Sequence, residues 1–232
     1  MATFARGKFI TFEGLDGCGK STQLEKLAAV LRRDGREVVT TREPGGTEIG
    51  EKVRAVLLNS GTANLAPLAE LALMFASRAQ LLHELVVPAL DAGTWVLCDR
   101  YSDSSVAYQG AGRQLGVEAV LGMHRIVCRD VWPDLTILMD SEVAASVQRA
   151  RRRNTSRPID GRRGNGTPAT GDENRFEQES RAFFERVHDA YLAIARREPQ
   201  RVVLVDARRP IEVVHGEIVA AVRERLLVTA KG

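Results

Sequence analysis

A glycine-rich segment near the start of the chain has the residue types and spacing that phosphate binding requires. It reads Gly-Leu-Asp-Gly-Cys-Gly-Lys-Ser over residues 14–21. Glycine lets a backbone approach an anion closely, and the N-terminus of a following helix adds positive potential. We therefore predict a phosphate-binding loop, in which Lys20 reaches the β- and γ-phosphates of a nucleotide and the Ser21 hydroxyl is a ligand of Mg²⁺.

The flanks of this loop agree with that interpretation. An apolar, β-prone run precedes it at residues 9–12, and a helical pattern follows it over residues 21–31. A chance match to the motif would lack this strand–loop–helix context. Another apolar run, residues 95–98, ends at Asp99. A carboxylate at the end of a neighbouring strand can hold Mg²⁺ or its water, so Asp99 is the second candidate metal ligand.

The elements that must position these residues follow an alternating pattern. Short apolar runs at residues 8–12, 37–41, 94–98, 135–139 and 202–205 are separated by helical periodicities. This alternation predicts an α/β fold, a doubly wound parallel five-stranded sheet flanked by helices. Clear helical patterns cover residues 66–90, 176–197 and 211–227. Ligands of such folds lie beyond the carboxyl ends of the strands. Charged residues fall at those ends and predict one polar cleft: Glu13, Arg42, Asp99, Asp140 and Asp206.

Length and composition indicate one domain over residues 1–232. No run approaches the ~20 apolar residues of a membrane span, and we expect a cytoplasmic protein without a membrane partner. The three cysteines form no C-x-x-C pair, so we expect free thiols. A Gly/Pro/Arg-rich stretch breaks the helical pattern and predicts a flexible lid at about residues 150–174.

Arginine is concentrated next to this stretch, with seven arginines between residues 149 and 163. A nucleic-acid-binding module is one interpretation of such a cluster. Binders of single strands interleave aromatic residues with their basic ones, and this stretch contains no aromatic residue. The net charge of +3 is also mild. We therefore expect no nucleic-acid partner and favour arginines that meet phosphate.

Further short motifs occur in an ordered succession along the chain. They are Arg42-Glu43-Pro44-Gly45-Gly46-Thr47, Phe75-Ala76-Ser77-Arg78, Asp99-Arg100-Tyr101, Ser104-Ser105-Val106-Ala107-Tyr108-Gln109-Gly110, Pro133-Asp134-Leu135-Thr136 and Arg175-Phe176-Glu177-Gln178-Glu179. With the phosphate loop, their order and spacing resemble thymidylate kinases of the bacterial type. The resemblance extends from Phe9 to about Asp206.

The resemblance implies transfer of the γ-phosphate of ATP to dTMP, giving dTDP and ADP, in a reaction that requires Mg²⁺. It also implies that the enzyme is a homodimer. It assigns the donor phosphates to one set of residues: Gly14, Leu15, Asp16, Gly17, Cys18, Gly19, Lys20, Ser21 and Thr22. It gives Asp16 a place near the acceptor sugar and the transfer centre, and it makes Asp99 the acid of the metal site.

The resemblance also implies an acceptor site. Arg100 and Arg42 would face the acceptor phosphate, with Glu43 beside them. Phe75 would stack on thymine and Arg78 would bond its edge. The remaining members of the pocket are Ser104, Ser105 and Gln109 around the base and Tyr108 against the deoxyribose, where it disfavours a 2′-hydroxyl.

Some members of this family carry a catalytic arginine inside the phosphate loop, after the acidic residue. Here that position is Gly17. The resemblance then implies that the lid supplies the arginine, with Arg153 as the first candidate and Arg151 as the second. Such an arginine can contribute about 10³-fold or more in rate.

Three hypotheses compete at this point: a nucleoside-monophosphate kinase with thymidylate as acceptor, another phosphate-loop protein such as a GTPase or an ATP-driven machine, and the nucleic-acid-binding module considered above. A GTPase would show an Asn-Lys-x-Asp motif after a strand, and the chain has none. Another nucleotide kinase, acting on deoxynucleosides or other monophosphates, is the nearest alternative. A deoxynucleoside kinase would have no need of Arg42 and Arg100 around an acceptor phosphate. A non-kinase phosphate-loop ATPase is more distant, because such machines usually need a longer chain.

Overall fold

The computed structural model describes residues 6–155 and 175–227, without the side chains of residues 150, 151 and 153–155. Five parallel strands form one sheet in the order β2-β3-β1-β4-β5. The strands are β1 Phe9–Glu13, β2 Val38–Arg42, β3 Trp95–Asp99, β4 Leu135–Asp140 and β5 Val202–Asp206. The predicted doubly wound fold is confirmed, and each predicted strand matches an observed one to within one residue at either end.

The helices connect the strands on both faces of the sheet. The longer helices are α1 Lys20–Arg33, α2 Glu48–Leu58, α3 Pro67–Leu81, α6 Val117–Val127, α7 Val143–Thr155, α8 Arg181–Arg197 and α9 Ile211–Val222. Two shorter ones are α4 Val87–Asp91 and α5 Ser102–Ser105. The Thr47 side chain caps α2 by accepting from the Gly50 amide at 2.9 Å, as its position before the helix predicts.

Alternate residues of each buried strand contribute to two separate cores. Phe9 of β1 packs into one core with α3, α6 and α8, whereas Ile10 packs into the other with α1 and α9. Both side chains are fully buried. Successive residues of a strand point to opposite faces of the sheet, and helices cover both faces. Both sets of residues are therefore apolar, which gives continuous apolar runs in the sequence.

Three helical predictions need correction. The pattern over 66–90 is interrupted, because a π-turn at Leu82–Val86 separates α3 from α4. The pattern over 211–227 ends in a similar turn at Arg223–Leu227. Residues 176–197 begin with a 3₁₀ turn at Phe176–Gln178, and α8 starts only after the Ser180 cap. Apolar periodicity does not distinguish these wider or tighter turns from a continuous α-helix.

Candidate active site

The phosphate loop leaves the carboxyl end of β1 and enters α1. Gly14, Gly17 and Gly19 have φ of +128°, +79° and +100°, which L side chains rarely adopt. A Cβ at Gly14 would lie 2.5 Å from the carbonyl oxygen of Met139, so the loop also packs directly on the end of β4. The glycines of this motif are therefore required by backbone conformation and by close approach.

Two features make the start of α1 suitable for an anion. Gly19 provides no side-chain cap, and the first turn of α1 contains no acidic residue. The first amides of the helix therefore keep their hydrogen-bonding capacity for a ligand. Lys20 is buried, and its ammonium donates to the carbonyl oxygens of Gly14 at 3.1 Å and Leu15 at 2.9 Å. These bonds hold the cation at the mouth of the loop.

The two predicted metal ligands lie side by side. The Ser21 hydroxyl donates to Oδ2 of Asp99 at 2.7 Å, while Oδ1 of Asp99 is buried without a hydrogen-bond partner. These hard oxygen donors fit Mg²⁺, which is usually held by one or two carboxylates together with substrate phosphates. The described residues contain no group of three or more metal-ligating side chains. A nucleotide-borne Mg²⁺ is consistent with that donor set.

Arg100 joins the loop to the neighbouring pocket. Its guanidinium lies 2.9 Å from the Asp16 carboxylate and 5.0 Å from the centre of the Tyr108 ring. The Tyr108 hydroxyl donates to the other Asp16 oxygen at 3.2 Å. Burial raises the pKa of that hydroxyl well above its ordinary value, so it stays a donor. The φ of Arg100 is +76°, a strained conformation for a non-glycine residue, and such strain is concentrated at functional sites.

Behind Arg100 lies a fully buried carboxylate, that of Glu13. It accepts from the Tyr101 amide at 2.7 Å, from the Ser104 hydroxyl at 2.5 Å and from the Tyr191 hydroxyl at 3.0 Å. Burial, reinforced by the negative charge of Asp103, raises the pKa of Glu13 to about 7. Ser104 also accepts from Arg100 at 3.0 Å, so the buried carboxylate helps to orient that guanidinium.

A buried ion pair, that of Arg78 and Glu43, lies next to Tyr101. Arg78 donates to Glu43 at 2.7 Å and to the Ser105 hydroxyl at 3.0 Å. Its guanidinium lies 4.5 Å from the Phe75 ring centre and 5.0 Å from that of Tyr101. Burial raises the pKa of Glu43 above its ordinary value, although Arg78 opposes the shift. The predicted acceptor residues Glu43, Phe75, Arg78 and Ser105 are thus brought together.

Two predicted acceptor residues have other partners in this structure. Both oxygens of Glu51 accept from Arg42 at 2.8 Å. The Gln109 amide donates to the buried Glu70 at 2.8 Å rather than to the pocket residues around Arg78. The assignments of Arg42 to the acceptor phosphate and of Gln109 to the base stay predictions.

The side chains of Arg153 and Arg151, the predicted catalytic arginines of the lid, lie outside the described residues. The whole stretch 156–174 also lies outside them. Their helix, α7, nevertheless approaches the phosphate loop. Arg149 donates to the carbonyl oxygen of Gly17 at 2.8 Å. This contact brings the basic end of α7 to Gly17 of the phosphate loop.

Comparison with known proteins decides among the phosphate-loop families. The family model for thymidylate kinases matches residues 12–218. A thymidylate kinase of Trichlorobacter lovleyi is 47% identical over 222 residues, covering 95% of this chain and 99% of that protein. One from Pseudomonas putida is 47% identical over 210 residues, covering 90% of this chain and 93% of that protein. The chain belongs to the thymidylate kinase family.

A solved structure supports the same conclusion for the fold. The crystal structure of thymidylate kinase from Ehrlichia chaffeensis matches with a TM-score of 0.71 and 30% identity, covering 94% of this chain and 99% of that one. The prediction of a thymidylate kinase, and therefore of a phosphotransferase that uses ATP, is confirmed by membership in the family. In the part of the chain that the structure describes, no helix has both the length and the apolar character needed to cross a membrane.

The sequence did not single out several residues that lie in or next to this candidate site. Tyr191 of α8 occupies an ordinary apolar helical position, and only the fold brings its hydroxyl to Glu13. Glu70 carried one usable signal, since it is a charged residue adjacent to the apolar stripe of α3. Such a residue is buried only where partners satisfy it. Its three partners are distant in the chain, at separations of 39, 43 and 105 residues.

Proposed function

We propose that this chain phosphorylates dTMP with ATP at the junction between the loop of residues 14–22 and the pocket around Arg100. The observation that carries the proposal is the 2.9 Å ion pair between Arg100 and Asp16, which joins the two regions. Two phosphate-bearing nucleotides repel each other at short range. A guanidinium beside the loop can offset that repulsion and follow charge into the transition state.

The residues around the pocket suit a flat pyrimidine. Phe75 is fully buried and the Arg78 guanidinium lies 4.5 Å from its ring centre, so stacking of the base on Phe75 would require that guanidinium to move aside and donate to the edge of the base. In Arg78, Nη1 is buried and has no hydrogen-bond partner, so it retains a donor for a ligand. Ser105 anchors the same guanidinium at 3.0 Å and fixes its orientation.

The donor side would hold ATP together with Mg²⁺. Ser21 and Asp99 are the residues of this chain that would contact the ion, because their oxygens are paired with each other and Oδ1 of Asp99 lacks a partner. When bound, the ion would neutralise phosphate charge. Lys20 would exchange its carbonyl contacts for phosphate oxygens, and Asp16 would lie against the acceptor sugar.

A coupled ADP-release assay over the common nucleoside and deoxynucleoside monophosphates tests this proposal. We expect the highest kcat/KM with dTMP, and turnover that requires Mg²⁺. A strong preference for another monophosphate, or for an unphosphorylated nucleoside, would instead favour a different nucleotide kinase. ATP hydrolysis without transfer to any acceptor would contradict the kinase proposal altogether.

Arg153, and after it Arg151, would supply the catalytic guanidinium from α7. Replacing Arg153 with alanine should lower kcat by about 10³-fold while changing the KM of the acceptor much less. Arg152→Ala on the same helix is the matched control. If the substitution at Arg153 mainly raises the KM of the acceptor, that residue belongs to substrate binding, and Arg151 becomes the candidate.

A homodimer is supported by apolar side chains on three adjoining helices. Ile49 and Val56 of α2, Leu68 of α3 and Ile126 of α6 are 50%, 46%, 65% and 75% exposed. Helix α3 packs against both α2 and α6, so the exposed side chains belong to neighbouring elements. Light scattering after size exclusion should give a dimer for the wild type and a monomer for Ile126→Glu. Leu204→Glu, at an exposed apolar position of β5, should leave the dimer intact.

The remaining expectations stay predictions. These are the single domain over residues 1–232, the lid at about 150–174, the cytoplasmic location and the absence of nucleic-acid and membrane partners. Salt-dependent retention on an oligonucleotide column, compared with retention on a neutral resin, would test the expectation about nucleic acid.

A further inference from the structure

A buried ionic cluster lies behind the proposed acceptor residues, and of its members only Gln109 has a role in the assignments above. Its centre is the Glu70 carboxylate, which has no exposed surface. The carboxylate accepts from Arg175 at 2.7 Å, from Arg113 at 3.1 Å and from Gln109 at 2.8 Å. Arg113 also pairs with Glu179 at 2.5 Å, so two carboxylates face two guanidinium groups. A buried carboxylate with these partners is well satisfied.

Both arginines of the cluster contact one aromatic ring. The guanidinium carbon of Arg175 lies 4.5 Å from the ring centre of Phe176, and that of Arg113 lies 5.6 Å from it. The backbone of Arg175 donates to the carbonyl oxygen of Leu58 at 3.1 Å, at the end of α2. Helices α2 and α3 therefore fix the position of Phe176 from two directions.

Phe176 in turn packs against Tyr108. Their ring centroids are 5.6 Å apart and the planes meet edge to face at 87°. The other end of the Tyr108 ring carries the hydroxyl that bonds to Asp16 and Arg100, each at 3.2 Å. Protein interiors are closely packed, so a displacement of Phe176 would be transmitted to the Tyr108 ring.

We infer that Glu70 is a positioning residue: through Arg113, Arg175 and Phe176 it holds the Tyr108 ring against the place that the acceptor sugar would occupy. It thereby sets how strictly the site rejects a sugar with a 2′-hydroxyl. This inference rests on the proposed function, in which Tyr108 lies against the deoxyribose. A pocket excludes one added hydroxyl group poorly unless the contacting side chain is rigid. A ring supported by a buried ionic cluster has that rigidity.

The test compares kcat/KM for dTMP with kcat/KM for the ribonucleotide analogue, ribothymidine 5′-monophosphate. The variants are Glu70→Gln, Arg113→Lys and Phe176→Leu, with Asp134→Asn as the matched control. Asp134 is a partly buried carboxylate that bonds to Lys8 at 3.2 Å and to the Phe9 amide at 2.8 Å, at the other end of the strands. The ratio of the two kcat/KM values does not depend on the fraction of folded enzyme, because both values are measured with the same enzyme preparation.

We expect the three cluster variants to reduce the preference for dTMP by about 5- to 30-fold, the range of a 1–2 kcal/mol coupling. The control should keep the wild-type ratio. In a Tyr108→Ala background the three cluster variants should not reduce the preference for dTMP any further, because the ring that they position is absent. If Glu70→Gln does not fold, Arg113→Lys and Phe176→Leu decide the question, since both keep Glu70 in place.

Two results would overturn the inference while leaving the proposed function intact. One is a wild-type substrate ratio in folded cluster variants. The other is an equal loss of preference in the Tyr108→Ala background, which would mean that Glu70 acts by another route. Failure of the proposed function has a different signature, since the wild-type enzyme would then not prefer dTMP among the deoxynucleotides.

Discussion

The proposed donor and acceptor sides of the site are built by different means. The donor side consists mainly of backbone from one contiguous stretch, residues 14–22, and of the first turn of α1. The acceptor side consists of side chains from β2, α3, the end of β3 and α5 with the turn that follows it. The donor side is therefore encoded mainly in one short stretch of sequence, whereas the residues of the acceptor side come from several distant stretches.

The two sides also differ in how their cations are held. Lys20 of the donor side bonds to neutral carbonyl oxygens. The arginines of the proposed acceptor side each face a carboxylate, namely Asp16 for Arg100 and Glu43 for Arg78. A phosphate at the donor loop replaces weak acceptors, while an acceptor phosphate must compete with a charge already present.

The largest expected effect is on the donor side. Lys20→Ala should lower kcat by about 100- to 1000-fold, the usual loss when one donor to the developing charge is removed. The measurement is steady-state turnover at saturating ATP and dTMP, with circular dichroism to establish folding. Turnover within a few-fold of wild type would remove Lys20 from the proposed donor site.

On the acceptor side, Arg100→Lys should lower kcat/KM for dTMP by about 10- to 100-fold, because an ammonium cannot reproduce the planar contacts of the guanidinium. The KM for ATP should change little. An equal rise of both KM values would show that the donor and acceptor sides are not separable at this residue, and the comparison drawn above would then be wrong.

A smaller effect concerns stability and pH at Glu13, which lies between the two sides. Its folded pKa of about 7 exceeds the ordinary value of 4.5, so the folded state retains a proton that the unfolded state has lost. Its contribution to stability therefore falls as pH rises from 4.5 to about 7, by at most about 1.4 kcal/mol per pH unit.

Glu13→Gln should remove this component. Urea unfolding of both proteins across that pH range measures it as the difference between the two stability curves. Parallel curves would mean that Glu13 is ionised throughout, and that Ser104 and Tyr191 bond to a carboxylate rather than to a carboxylic acid.

The smallest effect should occur at an ion pair outside both regions. Lys26 bonds to Glu212 at 2.9 Å, and the Glu212 side chain is 76% exposed. Lys26→Ala should change the free energy of unfolding by less than about 1 kcal/mol and leave kinetics unchanged. A loss of turnover comparable to that of the Arg100 variant would show that a change on the surface of α1 reaches the phosphate loop. Lys26→Ala could then not serve as a control for the two regions.

The same contrast explains what could be predicted from the sequence. The donor loop was recognisable because its glycines, Lys20 and Ser21 are consecutive and their spacing is set by backbone geometry. The strands were recognisable because burial on both faces leaves apolar runs. The acceptor residues became visible only through resemblance, because Arg78 and Phe75 read as ordinary helix positions without it.

What could not be predicted depends on contacts between distant parts of the chain. The π-turn after α3 keeps the apolar periodicity, so the pattern over 66–90 gave no sign of it. The partner of Gln109 is 39 residues away, and its bond to Glu70 could not be deduced from spacing. Side-chain pairing of this kind is determined by tertiary packing, which local propensity does not encode.

The left-handed backbone at Arg100 has an evolutionary implication. A glycine would adopt that φ of +76° with less strain, yet it would have no guanidinium to offer. The ion pair with Asp16 and the hydrogen bonds to Ser104 and Tyr108 offset that strain. Laboratory evolution in which growth depends on formation of the enzyme's product should therefore retain arginine here.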